Sequence, residues 1–223
     1  MITVSRSQQQ MIDNYSALMD EVKERIEWLN VLLAGSIKLP NPALQEFGFL
    51  QLRILCELIA LACLTAHGEI PEVKGKRLHE EWNATNILKR LEHLHSDFYP
   101  KPITVTNPMP GHAHIDFVIS GFLTKTDLIS LYGRSGDLLH RGSVSKLLEP
   151  TLPWPPDMQE ITEWGHKIVN LLRDHSIGHL GGQSHILCKL SNPQDFGKVQ
   201  VAFATALTAE VEFAIQQAPR RQR

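Results

Sequence analysis

A chain of 223 residues, 43% hydrophobic and 21% charged, is long enough to bury a core without disulfides. Its net charge of −2 excludes a globally basic nucleic-acid binder, so any RNA contact must come from a local patch. Cys56, Cys63 and Cys188 show no C-x-x-C spacing, so buried free thiols are the default reading and a reducing compartment fits.

The opening MITVSRSQQQ has no apolar stretch, so no signal peptide is expected and the protein reads as cytoplasmic. A first helix is predicted over residues 7–34. Met11, Tyr15, Leu18, Val22, Ile26, Leu29 and Leu33 recur at spacings of three and four, which makes one apolar stripe. A second helix opens at Asn41, read as the cap, with Pro42 at the first helical position, and runs to Gly68. It is apolar nearly all round, as the central helix of a bundle should be. Gln51, Arg53 and Glu57 interrupt it, so it is not expected to span a bilayer. A third helix is predicted over 76–95, with Leu78, Trp82, Ile87, Leu88, Leu91 and Leu94 as its apolar residues.

The period then changes to two around a turn-like Asn107-Pro-Met-Pro-Gly, which predicts a β-hairpin at 102–120. Thr124 and Asp127 resemble a capping box that starts a fourth helix, ending near Gly142. Pro-rich residues 152–156 break the chain before a fifth helix over 157–175. Residues 184–215 are predicted to form a C-terminal β segment, with one strand over 184–190 and alternation from Val199 to Ile215, although the alanines leave a helix open over 202–216. The expected architecture is a single α+β domain over 1–223, mainly α. It has a bundle of about five helices over 8–175 and a small appended antiparallel sheet.

Residues 131–143 read LYGRSGDLLHRGS, which sets Arg134 and His140 six positions apart (R-x5-H) on the fourth helix. A neutral imidazole, with pKa near ~6.5, can take the proton of an RNA 2′-OH. A guanidinium can hold the phosphate and stabilise the charge of the transition state. No metal is required. Six residues of helix rise about 9 Å and turn about 120° from the start, so the pair does not share a face. Convergence needs a bend at Gly133 or Gly136, or half a site from a second copy.

Several long helices with R-x(4–6)-H in a late one resemble the HEPN superfamily of helical ribonucleases and nucleotide-binding modules. The resemblance covers residues 8–175 and not the C-terminal strands. It implies a homodimer, a metal-independent endoribonuclease site composed across it from Arg134 and His140, and a setting in toxin–antitoxin or anti-phage systems. Tyr132, Asp137 and Arg141 are the supporting residues in the segment. Arg53 and Glu57, four apart inside the apolar helix, are read as a partly buried ion pair, or as a pair in which Glu57 orients Arg134 or His140.

Two other readings remain. One is a non-catalytic HEPN-like module that binds a nucleotide or a protein partner, which the net charge favours. The other is a structural dimer whose glycines serve helix packing and whose C-terminal strands offer an edge to a partner. On this last reading Asp137 and Arg141 make an ordinary helix-surface ion pair. Eleven histidines occur, among them His93-x-His95 and His112-x-His114. Neither pair has a nearby Cys or acidic set to complete a tetrahedral site, and His175, His179 and His185 follow no recognised ligand spacing. No metal or cofactor is expected.

Overall fold

The computed structural model describes residues 5–73, 75, 78, 80–109, 112–139, 158–179, 184–206 and 212–217; within these, residues 107–109, 112–113, 205–206 and 212–217 are described as backbone alone. The fold is mixed α and β, mainly helical, with a small antiparallel sheet.

Helix α1 (Arg6–Leu33) starts one residue earlier than expected, on a capping box at Ser5. The Ser5 hydroxyl accepts from the Gln8 backbone N–H (3.2 Å), and the Gln8 side chain accepts from the Ser5 N–H (2.9 Å). In α2 (Asn41–Ala66) the expected Asn41 cap is not used. Pro40 holds the cap position, and Asn41 and Pro42 lie in the first turn. This helix is long and apolar enough to cross a membrane, yet 67% of its apolar window is buried against the rest of the protein.

Helix α3 (Ala84–Leu94) is shorter than the expected 76–95. The Glu81 carboxylate accepts from the backbone N–H groups of Trp82 (3.1 Å) and Asn83 (3.0 Å), and Asn83 in turn caps through Asn86 N–H (3.1 Å). These local bonds compete with helix and set its start at Ala84. Trp82, expected on the apolar face, is 67% exposed.

Strands β1 (Lys101–Met109) and β2 (His112–Phe117) form the expected hairpin, with Ile103 opposite Phe117 and Val105 opposite Ile115. The capping box before α4 (Lys125–Leu139) is present: Thr124 N–H donates to Asp127 Oδ2 (3.2 Å) and Asp127 N–H to Thr124 Oγ1 (3.1 Å). The predicted end of this helix and the Pro-rich break lie outside the described residues. Helix α5 (Met158–Leu172) stops before 175, and residues expected at its end belong instead to strand β3 (Asp174–Gly178). Then come β4 (Ser184–Asn192), β5 (Lys198–Ala206) and β6 (Glu212–Gln217), so the long alternation from Val199 is two strands rather than one.

The six strands close into a barrel in the order β1-β2-β6-β5-β4-β3. Closure comes from Lys101 opposite Ser176 and Pro102 opposite His175. The expected free edge for a partner strand is therefore not left by this sheet, because each strand has a neighbour on both sides. Nor is the barrel merely appended. On β4 Ile186, Cys188 and Leu190 join the helical core, while Leu187 faces a smaller cluster with Ile103, Ile115 and Ala204. The period of two thus sends one face of the strand to the bundle and the other to the barrel interior.

One buried polar contact ties α1 to β3. The Tyr15 hydroxyl lies 2.6 Å from His175 Nε2, and His175 Nδ1 lies 3.0 Å from the Leu172 carbonyl. A carbonyl only accepts, so Nδ1 carries the proton and Nε2 accepts from Tyr15. Burial holds the His175 pKa down at about 4, against a smaller upward pull from the Leu172 bond.

Candidate functional site

The predicted site residues that are described gather where α2, α4 and α5 meet. Glycine at position 48 lets α5 approach α2: a Cβ there would lie 2.6 Å from Ile161 Cδ1 and 3.1 Å from Leu32 Cδ2. Along the same stretch of α2, Phe49 and Arg53 are one turn apart and each meets an element of α4. The Arg134 guanidinium carbon lies 6.0 Å from the Phe49 ring centroid. The Arg53 guanidinium sits over the Tyr132 ring at 4.1 Å.

Arg134 is clamped from α5. Its Nε and Nη2 donate to the two carboxylate oxygens of Glu160, both at 3.2 Å. The side chains are 34% and 29% exposed, so the pair faces solvent at the helix seam. The clamp uses the Nε–H and one Nη2–H, two of the five guanidinium donors. The carboxylate on Arg134 is thus that of Glu160, whereas Glu57 lies 3.4 Å from Arg53 Nε as the expected partly buried pair.

Arg53 does more than pair with Glu57. Its Nη2 donates to the Tyr132 hydroxyl (2.8 Å) and Nη1 to the Tyr132 carbonyl (3.3 Å). Gly136 is the seat for this guanidinium: a Cβ there would be 2.9 Å from Arg53 Nη1. The glycine expected to bend the helix or to admit a second one is occupied by a side chain of the same chain. Burial raises the Tyr132 phenol above its usual pKa; Arg53 opposes this and Glu57 adds to it. Beside Arg134, the fully buried Ser135 hydroxyl has no hydrogen-bond partner among the described residues. Asp137 is exposed on α4. His140 and Arg141 lie outside the described residues, as does the expected Asp137–Arg141 pair.

A second polar constellation escaped the sequence reading. His67 at the end of α2, His95 just after α3 and His179 just after β3 come together. His67 Nδ1 lies 2.8 Å from the Cys63 carbonyl and therefore donates to it. Its Nε2 lies 3.2 Å from both His95 Nδ1 and the Gly178 carbonyl. Neutral His67 can accept there from His95, and protonated His67 can donate to Gly178. Burial is the largest influence on both His67 and His179 and lowers both pKa values, so the neutral forms dominate near pH 7. Among the described residues no group of three His, Cys, Asp or Glu side chains is placed to hold a metal ion. No sequence spacing announces this cluster, because its members lie on three separate elements.

Comparison with family models, with curated proteins and with solved structures gives no match for this chain.

Proposed function

We propose that the protein is a metal-independent endoribonuclease of HEPN type, acting as a homodimer on single-stranded RNA in the cytoplasm. The observation that carries this reading is the Glu160 clamp. It fixes a solvent-facing guanidinium by its Nε edge and leaves the Nη1 edge to meet a phosphate. His140 would take the 2′-OH proton, the 2′-oxygen would bond to phosphorus as the P–O5′ bond breaks, and the imidazolium would return a proton to the departing 5′-oxygen. Arg134 would hold the extra negative charge as it develops. DNA lacks the nucleophile and would not be cut. A toxin or phage-defence setting belongs to the same proposal.

The test is purified protein with end-labelled RNA in EDTA, alongside Arg134→Ala and His140→Ala. The expected result is chelator-resistant cleavage leaving 2′,3′-cyclic phosphate ends, reduced at least roughly 100-fold in both variants. Equal cleavage in all three samples, or equal cleavage of DNA, would overturn it.

A second reading is a non-catalytic module that binds a nucleotide or a protein partner. The same clamp favours it, because Glu160 neutralises the Arg134 charge. Saturable nucleotide binding by a protein that cuts no RNA would select this reading.

A further inference from the structure

A polar cleft of about 390 Å³ lies between the first half of α1 and the β4–β5 connection, toward the opposite end of α1 from the Arg134 clamp. Its volume falls in the lower part of the range for small-ligand sites, roughly 300–1,000 Å³. One wall is a single face of α1: Gln9, Asp13 and Ser16. The other is Asn192, Gln194 and Asp195 from the turn after β4, with Gln200 from β5. Ile12, Val199 and Val201, all buried, form the apolar part of the lining.

The chemistry of these walls selects a ligand class. Two carboxylates and no cationic side chain line the cleft, so it offers phosphates and other anions no charged partner. Of the four side-chain amides, Asn192 is engaged on both sides, donating to Gln200 Oε1 (3.0 Å) and accepting from the Gln194 backbone N–H (3.1 Å). The Gln194 side chain, the Gln9 carbonyl oxygen, the Gln200 NH2 and the Ser16 hydroxyl still present donors and acceptors together, which suits groups that are themselves both, such as sugar hydroxyls. The carboxylates are not bare cation traps. Asp13 accepts from Gln9 Nε2 (2.9 Å), and Asp195 lies 3.5 Å from Lys198 Nζ. The apolar lining offers a surface for the C–H face of a ring.

The residue that follows the lining Asp195 carries one further observation. Phe196, next to Asp195 in the chain, is 96% exposed and holds a left-handed backbone (φ 51°). A bulky side chain there is strained by about 1–3 kcal/mol, and such strain concentrates at ligand sites. The loop that holds it is anchored. Gly197 N–H donates to the Asn192 carbonyl (2.8 Å), and the Lys23 ammonium on α1 donates to the Gly197 carbonyl. An exposed aromatic on a braced loop, one residue from a lining carboxylate, is free to stack on a ring that extends out of the cleft.

We infer that this cleft binds a neutral pyranose sugar, with Asp13 and the amides taking the hydroxyls and Phe196 stacking on the ring. The inference is independent of the RNA reading. The test is saturation-transfer NMR on the full chain with methyl α-glucopyranoside, methyl β-galactopyranoside, methyl α-mannopyranoside and N-acetylglucosamine. The expected result is saturable millimolar binding of at least one sugar, weakened roughly tenfold in Phe196→Ala and in Asp13→Ala. Trp82→Ala, an exposed aromatic elsewhere, should bind as the wild type does. Phe196 is exposed, so its variant folds even if the Asp13 variant does not, and thermal melts report on both. Three results would each overturn the inference: no saturable signal from any of the four sugars, undiminished binding in Phe196→Ala, or binding of the cation agmatine in place of sugar. RNA cleavage, if present, should be unchanged in Phe196→Ala, so the two proposals fail separately.

Discussion

The buried Tyr15–His175 contact makes a quantitative demand on stability. In the unfolded chain His175 should titrate near its usual 6.5, whereas burial holds it at about 4 in the fold. The unfolded state therefore binds a proton between these values and the folded state does not. Stability from the neutral imidazole is fully present above pH 6.5 and is lost as pH falls toward 4. Between pH 7.5 and pH 5 the loss works out at about 2 kcal/mol, from about 1.4 kcal/mol for each tenfold difference in proton affinity. Other groups titrate in this range, so the measurement is a difference. Urea unfolding of the wild type and of His175→Gln at both pH values isolates the contribution of this one side chain. The wild-type advantage should shrink by about 2 kcal/mol on going to pH 5. A difference that stays flat, or grows, would refute the reasoning. Tyr15→Phe supplies a second arm. It leaves His175 Nε2 buried without its donor, which should cost about 1–3 kcal/mol at pH 7.5. It also removes a bond that favours the neutral ring, so part of the acid sensitivity should disappear with it.

Three further outcomes are expected. Ser135→Ala removes a buried hydroxyl without a described partner and should be neutral or stabilising by up to about 1 kcal/mol in chemical denaturation. Arg53→Ala and Tyr132→Phe should couple by about 1 kcal/mol in a double-mutant cycle, since Phe keeps the ring under the guanidinium and removes only the hydroxyl that Arg53 donates to. Glu160→Gln should change stability by less than about 1 kcal/mol, because the ion pair is a third exposed. The same variant frees the Arg134 charge, so single-stranded RNA should bind more tightly, with a steeper salt dependence in a filter-binding titration.

Local chemistry was legible in the sequence and contacts between distant residues were not. The α1 stripe is seen in the structure at Met11, Tyr15, Val22 and Leu29, which are all buried; Leu18 and Ile26 are only half-buried, Met19 rather than Leu18 reaches the core, and at the end Leu32 is buried and Leu33 exposed. The Thr124–Asp127 box was readable because both halves lie within one turn. Helix α3 was read too long because Leu78 and Trp82 fall at helical spacing, while the deciding group is the Glu81 carboxylate on nearby backbone N–H groups. At the candidate site the segment itself marked Arg134 and Tyr132. Their partners Glu160 and Arg53 lie 26 and 79 positions away, and no periodicity carries that information. The pairing of β3 with β1 was equally invisible, because a five-residue strand that follows a helix after one residue and holds a single apolar side chain, Ile177, shows no alternation to read.

The barrel is assembled from two parts of the chain separated by a pair of helices. Strands β1 and β2 are made first, then α4 and α5, and only afterwards the four strands that complete the ring. During synthesis the early hairpin emerges before any of its outer neighbours, and β6, the last of the described strands, is the one that seals β2 against β5. A ribosome that stalls within the final hairpin would release a chain with a nearly complete helical core and two open strand edges. Such a product is prone to pair with its own kind. Closure of the ring thus rests on β6, far along the chain from the helical segment that carries Arg134.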